Sequence, residues 1–112
     1  MKSFTIALLV ALCASPALGG GFEDGNKLLS SCEGSDPVLK EYCYGYVVGI
    51  SDTMEGNAIN GFRACVRIGV SKTQIFALAT GYLKDHPEVR HYGAAGIVAA
   101  ALAKAFPCEE PQ

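Results

Sequence analysis

Four cysteines, Cys32, Cys43, Cys65 and Cys108, restrict the fold of this chain more than any other feature, because they share a stretch too short to build a large core. A fifth, Cys13, sits in a leader. MKSFTIALLVALCASPALG carries one lysine, an apolar run from Phe4 to Leu12, and Ala17-Leu18-Gly19 in small-x-small register. That pattern reads as a secretory signal peptide over residues 1–19, cut between Gly19 and Gly20. Its apolar run is too short to span a bilayer, and Leu12 before Cys13 argues against lipidation. Residues 20–112 are left as one small domain, of a size at which core burial alone is marginal.

An even number of cysteines in a short exported chain implies two disulfides. Spacings of 11, 22 and 43 residues contain none of the close pairs that a structural metal site uses, so neither a metal nor a free thiolate is expected. The charge balance is 9 basic against 11 acidic residues, a formal net of −2 that falls by one when Lys2 leaves with the leader. No basic run or patch supports nucleic-acid binding.

Periodicity reads as helix throughout. Glu23 to Cys32 holds Leu28 and Leu29 behind an acidic front and forms a short first helix. Asp36 before Pro37 is an N-cap and first-turn pair, and Leu39, Cys43, Val47, Ile50 and Met54 then draw one helical stripe that Gly56 ends. Asn57 to Val70 has no sustained period and reads as a long loop containing Cys65. Ser71-Lys72-Thr73-Gln74 is a capping box for a third helix ending near Asp85. A fourth is expected to start at Asp85 or His86 with Pro87 in its first turn, to run through GAAGIVAAALAKAF, and to stop at Pro107. Lys104 interrupts its apolar stretch, which is too short to cross a membrane. No strand-like alternation remains, so the expected class is all-α, about four helices stapled by two disulfides.

The stretch YCYGYVVGISD, Tyr42 to Asp52, spends two glycines and three tyrosines inside a helix. Gly45 and Gly49 share a face, and each costs about 1 kcal/mol relative to alanine. Close packing against the alanine-rich fourth helix is the expected reason, with a flat groove for a partner as the alternative. Asp52, on the same face, meets the negative end of the helix dipole and calls for a cation or loop amides as partners; Arg63, Arg67 and His91 are the candidates. Tyr44 points away from the core stripe and is expected as an exposed interface ring.

Catalysis finds little support. His86, His91 and Asp52 form no recognised constellation, and the chain lacks the HExxH, GxSxG, phosphate-loop and haem-attachment motifs, so no enzyme activity and no cofactor are expected.

The order Leu28-Leu29-x-x-Cys32, Tyr42-Cys43-x-Gly45-Tyr46-Val47-x-Gly49-x-x-Asp52, Cys65, Val70 with Gln74, Tyr82-Leu83-x-x-His86-Pro87-Glu88-x-Arg90-His91, and Ala101-Leu102 with Phe106-Pro107-Cys108 resembles the Rap/Tai immunity family across the whole mature chain. Val66-Arg67 departs from it, standing where many members have a proline soon after the third cysteine. The resemblance implies a small helical periplasmic protein, often dimeric, that blocks a type VI secretion effector such as a peptidoglycan amidase. It carries over no contact residue, since those positions vary among members. Exposure instead selects Tyr44, then Glu55, Asn57, Asn60 and Arg63 in the long loop, and Asp85, His86 and Glu88 at the tight one. The alternative is a small periplasmic stress chaperone resembling the acid-activated HdeA type, for which two histidines and a modest acidic excess are a thin basis.

Three disulfide pairings are open to four cysteines. A short link at Asp36-Pro37 predicts antiparallel first and second helices, which sets Cys43 opposite a residue well before Cys32. On that geometry the nested pairing of Cys43 with Cys65 and Cys32 with Cys108 is expected ahead of Cys32 with Cys43 and Cys65 with Cys108.

Overall fold

The computed structural model describes Ser3 and residues 21–109; the leader and its cleavage site lie outside them. Four α-helices follow in order: α1 (Gly25–Glu33), α2 (Pro37–Thr53), α3 (Lys72–Asp85) and α4 (Ala94–Ala105). Among the described residues there is no strand, only two isolated bridges. The Asp24 side chain accepts from the Lys27 amide at 2.8 Å to start α1. Asp36 does the same for α2 from the Val38 amide at 2.9 Å. Both bonds of the Ser71/Gln74 capping box form, at 3.1 and 2.7 Å.

The fourth helix starts later than its sequence suggests. Pro87–Val89 makes a single 3₁₀ turn, and Arg90 to Gly93 leaves the helical path. The reason lies in the backbone amides. The first N–H groups of a helix have no partner inside it; here Gly25 N–H donates to Tyr92 O at 3.1 Å, Asn26 N–H to Arg90 O at 3.0 Å, and Ala94 N–H to Glu23 O at 3.0 Å. The starts of α1 and α4 thus cap each other, which takes the Arg90 and Tyr92 carbonyls out of a helix and replaces a side-chain cap on α4. Gly25 makes the approach possible: a Cβ there would stand 2.7 Å from Ile97 Cδ1 and 2.8 Å from the Arg90 backbone.

The disulfides are Cys32–Cys43 and Cys65–Cys108, with Cα separations of 5.2 and 5.0 Å. The nested pairing is therefore incorrect, and the error lies in the assumed turn. The chain bends at Gly34 and Ser35, and Asp36 is extended, as the residue before a proline tends to be. Cys43 stands about 9 Å along α2 from Pro37 at 1.5 Å per residue, and Cys32, in the last turn of α1, lies against it, so the end of α1 meets α2 at Cys43 instead of at its start. Cys65 is tied instead to the C-terminal end, where its N–H also donates to Phe106 O at 2.8 Å.

Each helix touches the other three. Leu28, Cys43, Val47, Met54, Leu83, Val98 and Leu102 are fully enclosed, and among the described residues no polar or charged side chain is buried with them. In α4, Ala94, Ile97, Val98, Ala99, Ala101 and Leu102 are all buried, as expected of a helix apolar on most sides. Gly45 and Gly49 do not pack against it. With Cys43 and Val47 on the core side, Gly45 is turned about 200° from Cys43 at 100° per residue. Both glycines face outward, and a Cβ on either would meet nothing within 4 Å.

Candidate protein-binding surfaces

The tyrosines of α2 divide by phase. Tyr44 is half-buried, not exposed: its ring stacks on Phe76 with centroids 4.5 Å apart, and its hydroxyl donates to Thr73 Oγ1 at 2.7 Å, joining α2 to α3. Tyr42 donates to Glu23 Oε2 at 2.6 Å. That bond to a carboxylate pushes the Tyr42 phenol up to about 12. Burial, with Glu23 close by, also raises Tyr46, while the Ala95 amide at its oxygen acts in the opposite sense. Tyr42 and Tyr46 therefore hold the residues before α1 and the start of α4 against α2.

Asp52 has no Lys, Arg or His nitrogen within ion-pair distance among the described residues, so the expected internal pair does not form. Asp52, Glu55, Arg67 and Ile68 instead line one cleft at the C-terminal end of α2. Ile68 is fully exposed at the tip of a turn, with Gly69 at φ 98° and Val70 N–H donating to Arg67 O at 3.2 Å. Asn57, also in the predicted set, closes α2 by donating from Nδ2 to Thr53 O and Glu55 O, each at 3.2 Å.

A second surface surrounds a two-residue turn. Ile59 and Phe62 exchange backbone hydrogen bonds of 3.0 and 2.9 Å across Asn60 and Gly61, whose φ angles are 50° and 80°. Positive φ at both central residues is the hairpin type that favours Asn-Gly. The Asn60 side chain lies over Gly96, where a Cβ would collide with Nδ2. Beside it, Asn60, Phe62, Tyr82, Val89, Tyr92 and Ile97 line a cavity of about 430 Å³ whose rim includes the exposed rings of Phe62 and Tyr92. Arg63 follows this turn and is exposed.

The third predicted group lies where α3 ends. His86 is half-buried, stacked on Tyr82 at 3.9 Å with Nδ1 2.8 Å from Tyr82 O, while Asp85 and Glu88 are exposed. Tyr82 lines the Asn60 cavity and also stacks on His86, so the second and third groups adjoin, while Glu55 and Asn57 lie apart at the end of α2 and Tyr44 is taken up between α2 and α3. Sequence reasoning missed Phe62, Tyr92, Val38, Leu39 and Ile68 as exposed apolar groups; the Asn60-Gly61 dipeptide between Ile59 and Phe62 was a readable signal for the first of these.

Among the described residues, no three His, Cys, Asp or Glu side chains cluster at metal-binding distance, and the four cysteines are paired. The features on offer are exposed apolar side chains beside unpaired charge. No curated protein matches the chain. The family model for Rap1a immunity proteins matches residues 24–108, a span that contains all four helices and both disulfides. By that match the chain belongs to the Rap1a immunity protein family.

Proposed function

We propose that this chain is exported, loses residues 1–19, and in the periplasm binds and inhibits a type VI secretion effector, a peptidoglycan amidase, so protecting the cell that makes it. The observation that carries this reading is the family match over residues 24–108. Two disulfides suit an oxidising compartment. Among the described residues no helix is long and apolar enough to cross a membrane. In this reading the chain turns over no substrate, needs no cofactor, and acts by occupying its target, with dimerisation included on the strength of the family resemblance. Exposed Glu55, Asn60, Arg63, Asp85 and Glu88, with Asn57 and half-buried His86 beside them, are proposed contacts.

Co-expression in the periplasm with a candidate peptidoglycan amidase from a neighbouring gene tests the proposal. Cells making the full chain should survive, cells making residues 20–112 without the leader should lyse, and the purified pair should bind at micromolar affinity or tighter. Absence of both protection and binding overturns the reading and brings the chaperone alternative forward; suppression of acid-induced aggregation of unrelated proteins would then support that role.

A further inference from the structure

The cavity of about 430 Å³ beside the Asn60-Gly61 turn has the make-up of an interface centre. Phe62, Tyr82, Val89, Tyr92 and Ile97 supply its apolar wall, and no charged side chain lines it. Charge begins only at its edge, where Arg63, Glu88 and His91, each next in sequence to a lining residue, are exposed. Aromatic rings at the centre with charge kept to the rim distinguish a protein interface from ordinary surface.

The same patch carries both halves of a contact. Phe62 and Tyr92 are 42% and 60% exposed at the mouth, so two rings stand beside a hollow able to take one. Tyr92 is fixed in place: its N–H donates to Val89 O at 3.0 Å, its carbonyl accepts from the Gly25 amide at 3.1 Å, and its ring lies 4.0 Å from that of His91. Little ordering therefore remains to be done on binding. A knob beside its own hole suits a two-fold axis, because an isologous contact uses one patch on both subunits and each gives what the other takes. Arg63 and Glu88 put both signs of charge at the edge, so two copies meeting here face no field of one sign. The fully exposed Ile68 lines a different cleft and stands alone, as scattered surface apolar groups do.

Resting on the dimer included in the proposed function, we infer that two copies of the chain join through this patch, each seating its Tyr92 ring in the other's cavity. Phe62 closes over the inserted ring, and Arg63 and Glu88 stay at the wet rim. The second copy thereby fills a hollow that one chain leaves open.

The test uses the processed chain, residues 20–112, with both disulfides. Sedimentation should show a parent dimer that dissociates on dilution. Tyr92→Ser, which keeps the backbone bonds, and Ala100→Leu, which fills the cavity from its lining, should each weaken the dimer by about tenfold or more, the scale of a truncated interface anchor. Ile68→Ser should leave it intact. The chain has no tryptophan, so Tyr92→Trp adds a single reporter whose emission should move to the blue as the copies associate. A parent that stays monomeric at millimolar concentration, or a dimer that Tyr92→Ser and Ala100→Leu leave unchanged, overturns the inference. Loss of binding to the candidate amidase in those two variants, with sedimentation unaffected, would assign the cavity to the effector and also overturn it. A parent dimer that both variants weaken, in a chain that binds no amidase, supports the inference and overturns the immunity reading alone.

Discussion

The Tyr42 hydroxyl donates to Glu23 Oε2 across 2.6 Å, joining the second helix to the residues that lead into the first. A phenol that hydrogen-bonds to a carboxylate resists losing its proton, and Tyr42 is pushed up to about 12 by this bond, with burial and the Glu23 charge adding to it. A free tyrosine titrates near 10. The folded state therefore holds this proton more tightly than the unfolded chain. The bond's contribution to stability is complete below pH 10 and is lost as pH rises through about 12. Urea midpoints measured from pH 8 to 12 for the parent and Tyr42→Phe should differ most at the low end and converge at the high end. Curves that stay parallel would mean that Glu23 and Tyr42 are not coupled in solution.

Gly45→Ala and Gly49→Ala should each stabilise the fold by about 0.5–1 kcal/mol, since the added methyl meets nothing and helix propensity improves. Gly25→Ala has the opposite sign. Its Cβ would sit 2.7 Å from Ile97 Cδ1 and 2.8 Å from Arg90 backbone atoms, which cannot move without breaking the joint between α1 and α4. Overpacking of this kind costs roughly 1–3 kcal/mol. Denaturant melts of the three variants decide the matter, and a destabilised Gly45→Ala would mean that the α2 face is covered in the free protein.

Local chemistry was readable wherever one or two residues decide it. The Ser71/Gln74 box, the Asp36-Pro37 start and the Gly56 stop of α2 are short-range signals, and the third and second helices begin and end where those signals place them. The all-α class followed from periodicity for the same reason. The late start of α4 was not readable, because Arg90 and Tyr92 give up helical hydrogen bonds to amides more than sixty residues earlier in the chain. The disulfide pairing depended on the path that Gly34 to Asp36 takes between the helices, and no residue there forces the answer alone. For the surfaces, phase separated Gly45 from Cys43, but helical phase does not say which side another helix will cover. The exposure of Ile68 and Tyr92 likewise depends on how loops lie on the bundle.

Asn60 should tolerate glycine and little else. At φ 50° its backbone is left-handed, and its side chain rests on Gly96. Asn60→Gly keeps the turn at a modest loss of packing. Asn60→Val forces a branched side chain into the left-handed region, a strain of order 1–3 kcal/mol. Loss of the Phe62 to Ile59 hydrogen bond, seen as faster amide exchange at Phe62, should accompany Asn60→Val and be absent in Asn60→Gly. Equal exchange in both would show that the turn is held by its flanking strand-like residues.

The two disulfides should rank opposite to their loop lengths. In the chain-entropy model a bridge across 11 residues contributes about 3 kcal/mol and one across 43 about 4 kcal/mol. On that count, removing Cys65–Cys108 is the more damaging change. Burial points the other way. Cys32 and Cys43 are 3% and 0% exposed and belong to the main core, whereas Cys65 is exposed and Cys108 half-buried. Replacing the first pair by alanine removes two enclosed sulfur atoms and leaves a void among well-packed neighbours, a penalty that adds to that of the missing crosslink. The second pair leaves no void, and its Cys65 N–H to Phe106 O bond at 2.8 Å can persist without the sulfurs. Cys32→Ala/Cys43→Ala should therefore lose more stability than Cys65→Ala/Cys108→Ala in thermal and denaturant unfolding. Mild reductant on the parent should open Cys65–Cys108 first, leaving a Cys32–Cys43 crosslinked peptide in the non-reducing digest. If the exposed pair proves the more costly to remove, chain entropy outweighs burial in this small core.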